Sequence, residues 1–291
     1  MSLRWIPFIA ALAAASCLAQ QPQVSLHLDL WPNFRTSRDG ESIFRWYNDT
    51  GHYSTASVTI LTEVGFRVFV SQRMQRIDND TDNELFNEYY VEDTGYWRVG
   101  KQLLPFGLAL LEREFARAAR VNTNLAVGGW PVQLAWCDAG EGKQKGVVGR
   151  IGSAIGVSVA AGDHFGIAGT AFNDVRKPED ALPQGAGYRL LLGADAVQHV
   201  GRATYEAEWV RSRLGHTAAD ADNDYALLAI DYHVEGPQRA SFAWARDVAS
   251  SIDSYRLRFE MTISPNVQLV PQVRWRAGRL FETSIGLHYK L

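Results

Sequence analysis

The sequence has little cysteine, which excludes one common way of stabilising an exported protein. Its 291 residues contain two cysteines, Cys17 and Cys137. If the N-terminal leader described below is removed, Cys137 alone is left, and a single cysteine cannot form an intrachain disulfide. An exported form of the chain would therefore depend on packing or on insertion into a membrane.

Long apolar runs are also missing beyond the N-terminal region. A membrane-spanning helix needs about 18 or more consecutive apolar residues, and no such stretch follows that region. If the protein sits in a membrane, a closed β-barrel is the architecture that satisfies all of its backbone hydrogen bonds.

There is no excess of basic residues, because 29 Lys and Arg stand against 32 Asp and Glu. A domain that binds nucleic acid usually carries a basic patch, so we predict no nucleic-acid partner. The seven histidines lack the spacing of a metal site, and no glycine-rich stretch matches a phosphate-binding loop. We therefore predict no metal, no cofactor and no enzymatic activity.

The N-terminus has the features of a secretory signal peptide. Arg4 is the only charge before a short apolar run, and the small residues Cys17 and Ala19 suit the positions before a cleavage site. We predict a signal peptide over residues 1–19 and one domain over residues 20–291. An uncleaved membrane anchor and a lipoprotein acylated at Cys17 are the alternatives.

The end of the chain alternates apolar and polar residues in three runs between residues 255 and 291. In the first run Tyr255 and Leu257 fall on one side, and Arg256 and Arg258 on the other. Side chains on a β-strand point alternately to opposite faces, so each run is predicted to be a strand with one apolar face. A soluble β-sandwich and a membrane barrel both produce this pattern.

The connections between strands distinguish these two architectures. Alternating segments, including residues 147–161 read as one long strand, predict about 14 strands, with 12 or 16 as alternatives. The short turns fall near residues 62–65, 93–95, 162–166, 197–201, 235–238 and 264–266. Outer-membrane barrels have short turns at one end and long loops at the other. We therefore predict an all-β fold, an antiparallel transmembrane β-barrel, in which the last run pairs with residues 24–30.

The stretch from Trp97 to Gly107 reads WRVGKQLLPFG. It resembles the V-G-K-Q-x-x-P-F-G signature of bacterial outer-membrane porins of the phosphate-selective and siderophore types. The matching residues are Gly100, Lys101, Gln102, Pro105, Phe106 and Gly107. In those porins the motif ends a strand and opens a long loop, and the resemblance implies the same here. Those porins usually have longer chains with more strands, and many outer-membrane proteins end in Phe where this chain ends in Leu291.

Residues 108–120 switch to a helical period. The apolar positions are Leu108, Leu111, Phe115 and Ala118, and the arginines opposite them are Arg113, Arg117 and Arg120. We predict a short helix in a long third loop. In porins the third loop often folds into the lumen, so the resemblance implies an arginine row that faces permeating anions. The alternative is a surface helix whose arginines pair with neighbouring glutamates.

Charges of both signs are predicted on the polar faces of other strands. The basic group is Arg256, Arg258, Arg274 and Arg276, and the acidic group is Glu206, Glu208 and Asp231. If the apolar faces meet lipid, these charges line the lumen and create a field that orients a dipolar or anionic solute. The alternative is that they pair with one another across the wall.

We expect a porin-like channel in the bacterial outer membrane for passive diffusion of small solutes, leaning towards anions. Its partners would be outer-membrane lipid and small solutes, and a homo-oligomer such as a trimer is compatible with the sequence. Two other functions stay open, a non-conducting structural or adhesive outer-membrane barrel and a secreted carbohydrate-binding β-sandwich. In the first of these, residues 108–145 would plug the lumen.

Overall fold

The computed structural model shows that the described part of the chain is built almost entirely of β-strands. The residues it describes are 22–37, 40, 42–45, 54–74, 86–93, 95–110, 115–127, 130–138, 145–163, 188–214, 223–249 and 251–290. Within these ranges no helix is long and apolar enough to cross a membrane. The strands are β1 (Gln23–Leu30), β2 (Asn33–Ser37), β3 (Ser42–Arg45), β4 (Thr55–Leu61), β5 (Phe66–Arg73), β6 (Phe86–Asp93), β7 (Trp97–Leu103), β8 (Phe115–Val127), β9 (Trp130–Asp138), β10 (Lys145–Gly152), β11 (Ile155–Asp163), β12 (Tyr188–Val200), β13 (Ala203–Leu214), β14 (Asn223–His233), β15 (Arg239–Asp247), β16 (Ile252–Ser264), β17 (Val267–Arg276) and β18 (Arg279–Lys290).

Sixteen strands, β1 and β4 to β18, form one closed antiparallel barrel. Each pairs with its neighbours along the chain, β1 pairs with β4, and β18 returns to β1 through Asp29–Lys290 and Leu30–Tyr289. The predicted closed antiparallel barrel is therefore confirmed. The predicted pairing of the last run with residues 24–30 is confirmed for residues 29 and 30 only, whereas the pairing of β1 with β4 covers residues 23–29. A single closed sheet is not the pair of packed sheets of a sandwich, so the sandwich alternative is wrong.

β2 and β3 extend this closing seam. Residues 29–37 pair with residues 290–282 of β18 in one register, and across the break at Pro32 its carbonyl oxygen accepts from the Leu287 amide (N···O 2.9 Å). β2 therefore continues β1 as a single kinked strand. β3 pairs with the edge of β2 that faces away from β18. This pairing lies beyond the point where the pairing of β1 with β4 ends.

His288 fastens the seam from the inside of the barrel. Its Nε2 lies 2.9 Å from Oδ1 of Asp29 on β1, and its Nδ1 lies 3.0 Å from Oε1 of Gln268 on β17. The imidazole also stacks on Trp31, with ring centroids 3.7 Å apart and planes inclined by 14°. One side chain thus joins the last two strands to the first.

The alternation of side chains separates the inner and outer faces of each strand. On β18 the polar side chains of Glu282, Ser284 and His288 are buried, while Ile285 and Leu287 are 58% and 40% exposed. Because side chains alternate along a strand, one face carries the polar residues inwards and the other carries the apolar residues outwards. This is the reverse of a soluble barrel with an apolar interior.

The barrel has sixteen strands, the upper alternative, because two hairpins are hidden in the hydrophobic pattern. The predicted single strand 147–161 is two strands, β10 and β11, joined by Ser153 and Ala154. Gly152 enters this turn with φ of 125°, and a Cβ there would lie 2.6 Å from Cα of Gly156. Gly152 pairs with Gly156, four positions further along, so residues of the same parity stay on the same face and the alternation passes through the turn unchanged.

The predicted helix over residues 108–120 is wrong, and it conceals the second hairpin. Residues 115–127 form β8, which pairs with both β7 and β9. Ala118 and Arg120 lie on its inner face and Val121 on its outer face. Alanine and arginine favour helices when taken alone. Pairing with two neighbouring strands outweighs that weak preference, since packing decides most strand positions.

Short and long connections alternate around the barrel. The connections at one end, from β4–β5 to β16–β17, have two to five residues between strand ends, and those at the other end have two to 24. The predicted sorting of connections therefore holds for most of the barrel, and the exceptions are the short connections β15–β16 and β17–β18. The turn predicted at residues 162–166 is misplaced, because β11 continues to Asp163 and the short turn lies before it.

We predict that His288→Ala weakens the closing seam. The change removes an aromatic stack and two polar contacts, which together should cost about 2 kcal/mol. The apparent unfolding temperature, read from heat-modifiable gel migration of the detergent-solubilised protein, should fall. Ser284→Ala is the matched control, because Ser284 is equally buried on the same face of β18. Equal behaviour of the two variants would contradict the role of His288.

Candidate functional site

The interior of the barrel has two unlike halves. Strands β8 to β15 present small and apolar side chains, and these pack against residues that follow β7. The buried members of this apolar cluster are Leu104, Phe106, Ala118, Ala135, Cys137, Val148, Ala160, Leu191, Val210, Tyr225, Leu227, Ala229, Ala243 and Ala245. The half formed by β16 to β18, β1, β2 and β4 to β8 carries arginines instead. The inward-facing arginines therefore lie mainly on this second half, whereas Arg150 of the first half pairs with Asp195.

Residues 104–110, called the inner segment below, turn into the barrel directly after β7. Leu104 and Phe106 are 5% and 4% exposed. The Phe106 ring lies against Gly193 of β12, where a Cβ would come within 2.9 Å of the ring edge. The amide of Gly107 donates to Oγ of Ser158 on β11 (2.9 Å). The inner segment therefore packs on the far wall and fills part of the apolar half.

Glu208 of β13 anchors the end of the inner segment. Its Oε1 accepts a hydrogen bond from the Leu108 amide (3.1 Å), and its Oε2 accepts one from the Leu110 amide (2.8 Å). Glu208 itself is 2% exposed. In the strand order, β13 lies six strands away from β7 in a barrel of sixteen. The inner segment therefore crosses a large part of the interior.

The residues of the porin-like motif prepare this turn into the interior. Gly100 has φ of 132°, and a Cβ there would lie 2.7 Å from Cα of Tyr90 and overlap the backbone of Tyr89. The buried amide of Gln102 donates to the Ala118 carbonyl on β8 (2.9 Å). Lys101 and Pro105 are also buried. The motif thus ends β7 with a fixed backbone geometry, and the chain that follows it turns into the barrel.

A basic cluster surrounds Glu92 on β5 to β8. Arg98 donates from Nε to the Glu92 carboxylate (2.7 Å), and Arg67 forms a second ion pair with it. The guanidinium of Arg98 also lies 3.9 Å from the centroid of the Tyr90 ring. Arg120 is directly opposite Arg98 in the β7–β8 pairing, and its Nε has no hydrogen-bond partner among the described residues. One carboxylate thus pairs with two arginines, and a third arginine lies beside one of them.

A second basic cluster lies on β16 to β18 and β2. Glu282 pairs with Arg35 (Nε to Oε2, 2.8 Å) and lies 3.8 Å from Nη1 of Arg274. Arg256 is directly opposite Arg274 in the β16–β17 pairing, which sets two cations side by side. Arg258 pairs with Glu260 and lies 5.5 Å from the Trp31 ring centroid. Arginines again outnumber the carboxylates they meet.

The outer face of the barrel is apolar on strands all the way around it. Leu26, Trp136, Ile155 and Ile263 are each more than 60% exposed. They lie on β1, β9, β11 and β16, so the exposed apolar surface is not a single patch. A continuous apolar band of this kind suits contact with hydrocarbon rather than with water.

Solved structures share this fold. OmpT, an outer membrane protein of Vibrio cholerae in a trimer form, has a TM-score of 0.60 at 9% identity over 94% of this chain and 100% of its own. The anion-selective porin from Comamonas acidovorans has a TM-score of 0.59 at 11% identity over 93% and 100%. A mutant of the Rh. blastica porin has a TM-score of 0.54 at 13% identity over 92% and 100%. The chain has the fold of a porin-like barrel. No protein-family model and no curated protein sequence matches it.

The porin-like barrel places the predicted site residues unevenly. Arg120 lies inside, on a strand rather than a helix, and Arg113 lies outside the described residues. Arg117 belongs to β8, and its side chain lies outside the described part. The second basic group, Arg256, Arg258, Arg274 and Arg276, shares the inner faces of β16 and β17. Glu206 and Asp231 are on inner faces of β13 and β14, whereas the carboxylate of Glu208 binds the inner segment.

Several interior residues of the porin-like barrel are not among the predicted site residues. They are Trp31, Arg35, Arg67, Tyr90, Glu92 and Arg98. Arg67 and Arg98 fall on the polar side of alternating runs, so their inward direction was readable from the sequence. Their convergence on one carboxylate was not, because it depends on pairing between β5, β6 and β7. Within the described ranges no cluster of His, Cys, Asp and Glu has the composition of a metal site.

Gly100→Ala should impair folding of the porin-like barrel. The new Cβ would overlap the backbone of Tyr89 in a conformation that side chains rarely adopt, at a cost of about 3 kcal/mol or more. The measurement is the fraction of refolded protein that shows heat-modifiable migration. Gly286→Ala is the control, since its Cβ would meet its nearest neighbours at 3.6 Å. Normal refolding of the Gly100 variant would refute the constraint.

Proposed function

We propose that the protein is a bacterial outer-membrane channel for passive diffusion of small solutes, with a preference for anions. The observation that carries this proposal is a closed barrel with an apolar outer band and an arginine-rich inner wall. The outer band supports a site in lipid, and the polar interior supports a water-filled path. We further propose that residues 1–19 are a signal peptide and that residues 20–291 form the barrel domain.

The preference for anions rests on the charge of the half of the interior on which the inner segment does not pack. The arginines on its inner faces are Arg35, Arg67, Arg73, Arg98, Arg120, Arg256, Arg258, Arg274 and Arg276. The carboxylates there are Asp29, Glu88, Glu92, Glu260 and Glu282. Arginines outnumber the carboxylates among these described residues. A positive wall in a narrow path raises the local concentration of anions and lowers that of cations.

Recording in a planar bilayer tests the proposal. The purified protein should produce conductance steps, and a KCl gradient across the membrane should give a reversal potential of the sign expected for chloride. A reversal potential of the opposite sign would refute the anion preference. Complete absence of steps would refute the channel and favour the non-conducting barrel, an alternative that the filled apolar half supports. Recovery of the protein from a soluble periplasmic fraction would refute the membrane location.

Arg120→Gln and Arg256→Gln should each reduce the preference for chloride. Each removes a cation that faces another arginine directly across a strand pair. A charge a few ångströms from a permeating ion in water is worth about 1 kcal/mol, so the permeability ratio should fall by about twofold to fivefold. Arg279→Gln, at the exposed rim between β17 and β18, is the control and should leave the ratio nearly unchanged. An unchanged ratio in both interior variants would contradict the proposed path.

The trimer form of OmpT makes a homotrimer the assembly to test first. Chemical crosslinking in native outer membrane should then give a trimer band. Monomer alone after crosslinking would remove the homotrimer from the proposal.

A further inference from the structure

We propose that Glu208 positions the inner segment, and that it acts on permeation through that segment rather than as a charge facing solute. The inference rests on the proposed channel function, and it assigns Glu208 a role different from that of Glu206 on the same strand. Both residues lie on the inner face of β13 and carry the same charge, so charge alone does not distinguish their roles.

The first observation is the pair of hydrogen bonds to one carboxylate. The amides of Leu108 and Leu110 point at the two oxygens of Glu208 at 3.1 and 2.8 Å. Hydrogen bonds to an ionised acceptor are stronger than those between neutral groups. A carboxylate with both oxygens bound in this way defines the position and the direction of the turn that carries the two amides.

The second observation is the fit of Gly107 against the same carboxylate. A Cβ at Gly107 would lie 2.9 Å from Cδ of Glu208 and would overlap Oε1. Gly107 also has φ of 52°, a conformation that glycine adopts without strain. The motif glycine is therefore the residue that lets the inner segment reach Glu208 closely enough to bind.

The third observation is that, within the inner segment, the packing of Phe106 and the hydrogen bond to Ser158 lie before or at the start of its turn. Phe106 packs against Gly193 and the neighbouring apolar cluster, and apolar packing is not directional. Ser158 accepts one hydrogen bond from Gly107, at the start of the turn. The two bonds to Glu208 come from the later part of the turn, so they determine how far the segment extends over the lumen.

Glu206 provides a matched comparison. It lies two residues before Glu208, faces the interior, and is more exposed. No hydrogen bond from the inner segment to Glu206 is present among the described residues. Its carboxylate can therefore act on a passing ion by charge alone, whereas the carboxylate of Glu208 is covered by the segment that it holds.

The first test compares Glu206→Gln with Glu208→Ala in a planar bilayer. Glu206→Gln removes a negative charge from the path, so conductance should stay the same and the preference for anions should rise. Glu208→Ala releases the inner segment, so conductance should rise with more open-channel noise. The wider path should also discriminate less, so its preference for anions should fall. An increase of anion preference in both variants at unchanged conductance would overturn the proposal.

Glu208→Gln gives a graded version of the same test. The amide keeps one acceptor oxygen and replaces the other with a donor, so one of the two hydrogen bonds is lost. Its conductance and noise should lie between those of the wild type and Glu208→Ala. If Glu208→Gln behaves like Glu206→Gln, the side chain acts by charge and the positioning role fails.

A double-mutant cycle tests the contact between Gly107 and Glu208. Gly107→Ala alone should release the inner segment, because its Cβ overlaps the carboxylate. In the Glu208→Ala background the overlap is gone, so adding Gly107→Ala should change conductance little further. If Gly107→Ala does not fold alone, the double variant should restore folding. Effects that add fully, or a double variant that folds no better, would overturn the assigned geometry.

A labelling experiment separates this inference from the channel function itself. Ala109→Cys in a Cys137→Ser background places a thiol in the middle of the inner segment, and a water-soluble maleimide reports its accessibility. Glu208→Ala should accelerate labelling by about tenfold, as expected for loss of charge-assisted hydrogen bonds. Glu206→Gln should not change the rate. Faster labelling without any conductance would support the positioning role while refuting the channel, and equal rates in both variants would refute the positioning role.

Discussion

Closure of the hydrogen-bond ladder is the constraint on which the rest of the structure depends. A sheet exposed to hydrocarbon cannot leave a free edge, because unpaired backbone groups have no water to bind there. The chain meets this requirement by pairing its first strand with its last along residues 29–37 and 290–282. The stacked side chains of Trp31 and His288 lie on the inside of that seam. Once the ring is closed, every strand has one face inwards and one outwards, and the positions of all interior groups follow.

The inner face of the barrel then divides into two halves that carry different side chains. On one half, small side chains such as Ala135, Ala160 and Ala245 leave room for Phe106 and its neighbours. On the other half, arginines gather around single carboxylates, as at Glu92 and Glu282. Where arginines outnumber carboxylates, ion pairs compensate the positive charge of the buried guanidinium groups only in part. Because arginines outnumber carboxylates there, this half carries an excess of positive charge among the described residues.

The sequence was sufficient for some of these features and misleading for others. Alternation correctly sorted residues such as Arg258 and Ile285 to opposite faces, because that depends only on the period of a strand. It missed the turn after Gly152, since the paired residues Gly152 and Gly156 are an even number of positions apart and the alternation keeps its phase. It also suggested a helix through Arg120, because a short run with apolar residues three and four apart fits either structure when its neighbours are unknown.

The sequence by itself determined that the chain forms amphipathic strands, that one end has short turns, and that charges gather on one face. These are local properties, set by residues a few positions apart. Only the tertiary structure decided that Leu108 and Leu110 meet the carboxylate of Glu208, which lies 100 and 98 positions further along the chain. That contact turns Glu208 from one more interior charge into the anchor of the inner segment. Nothing in the local pattern distinguishes it from Glu206, because the difference arises from what lies across the barrel.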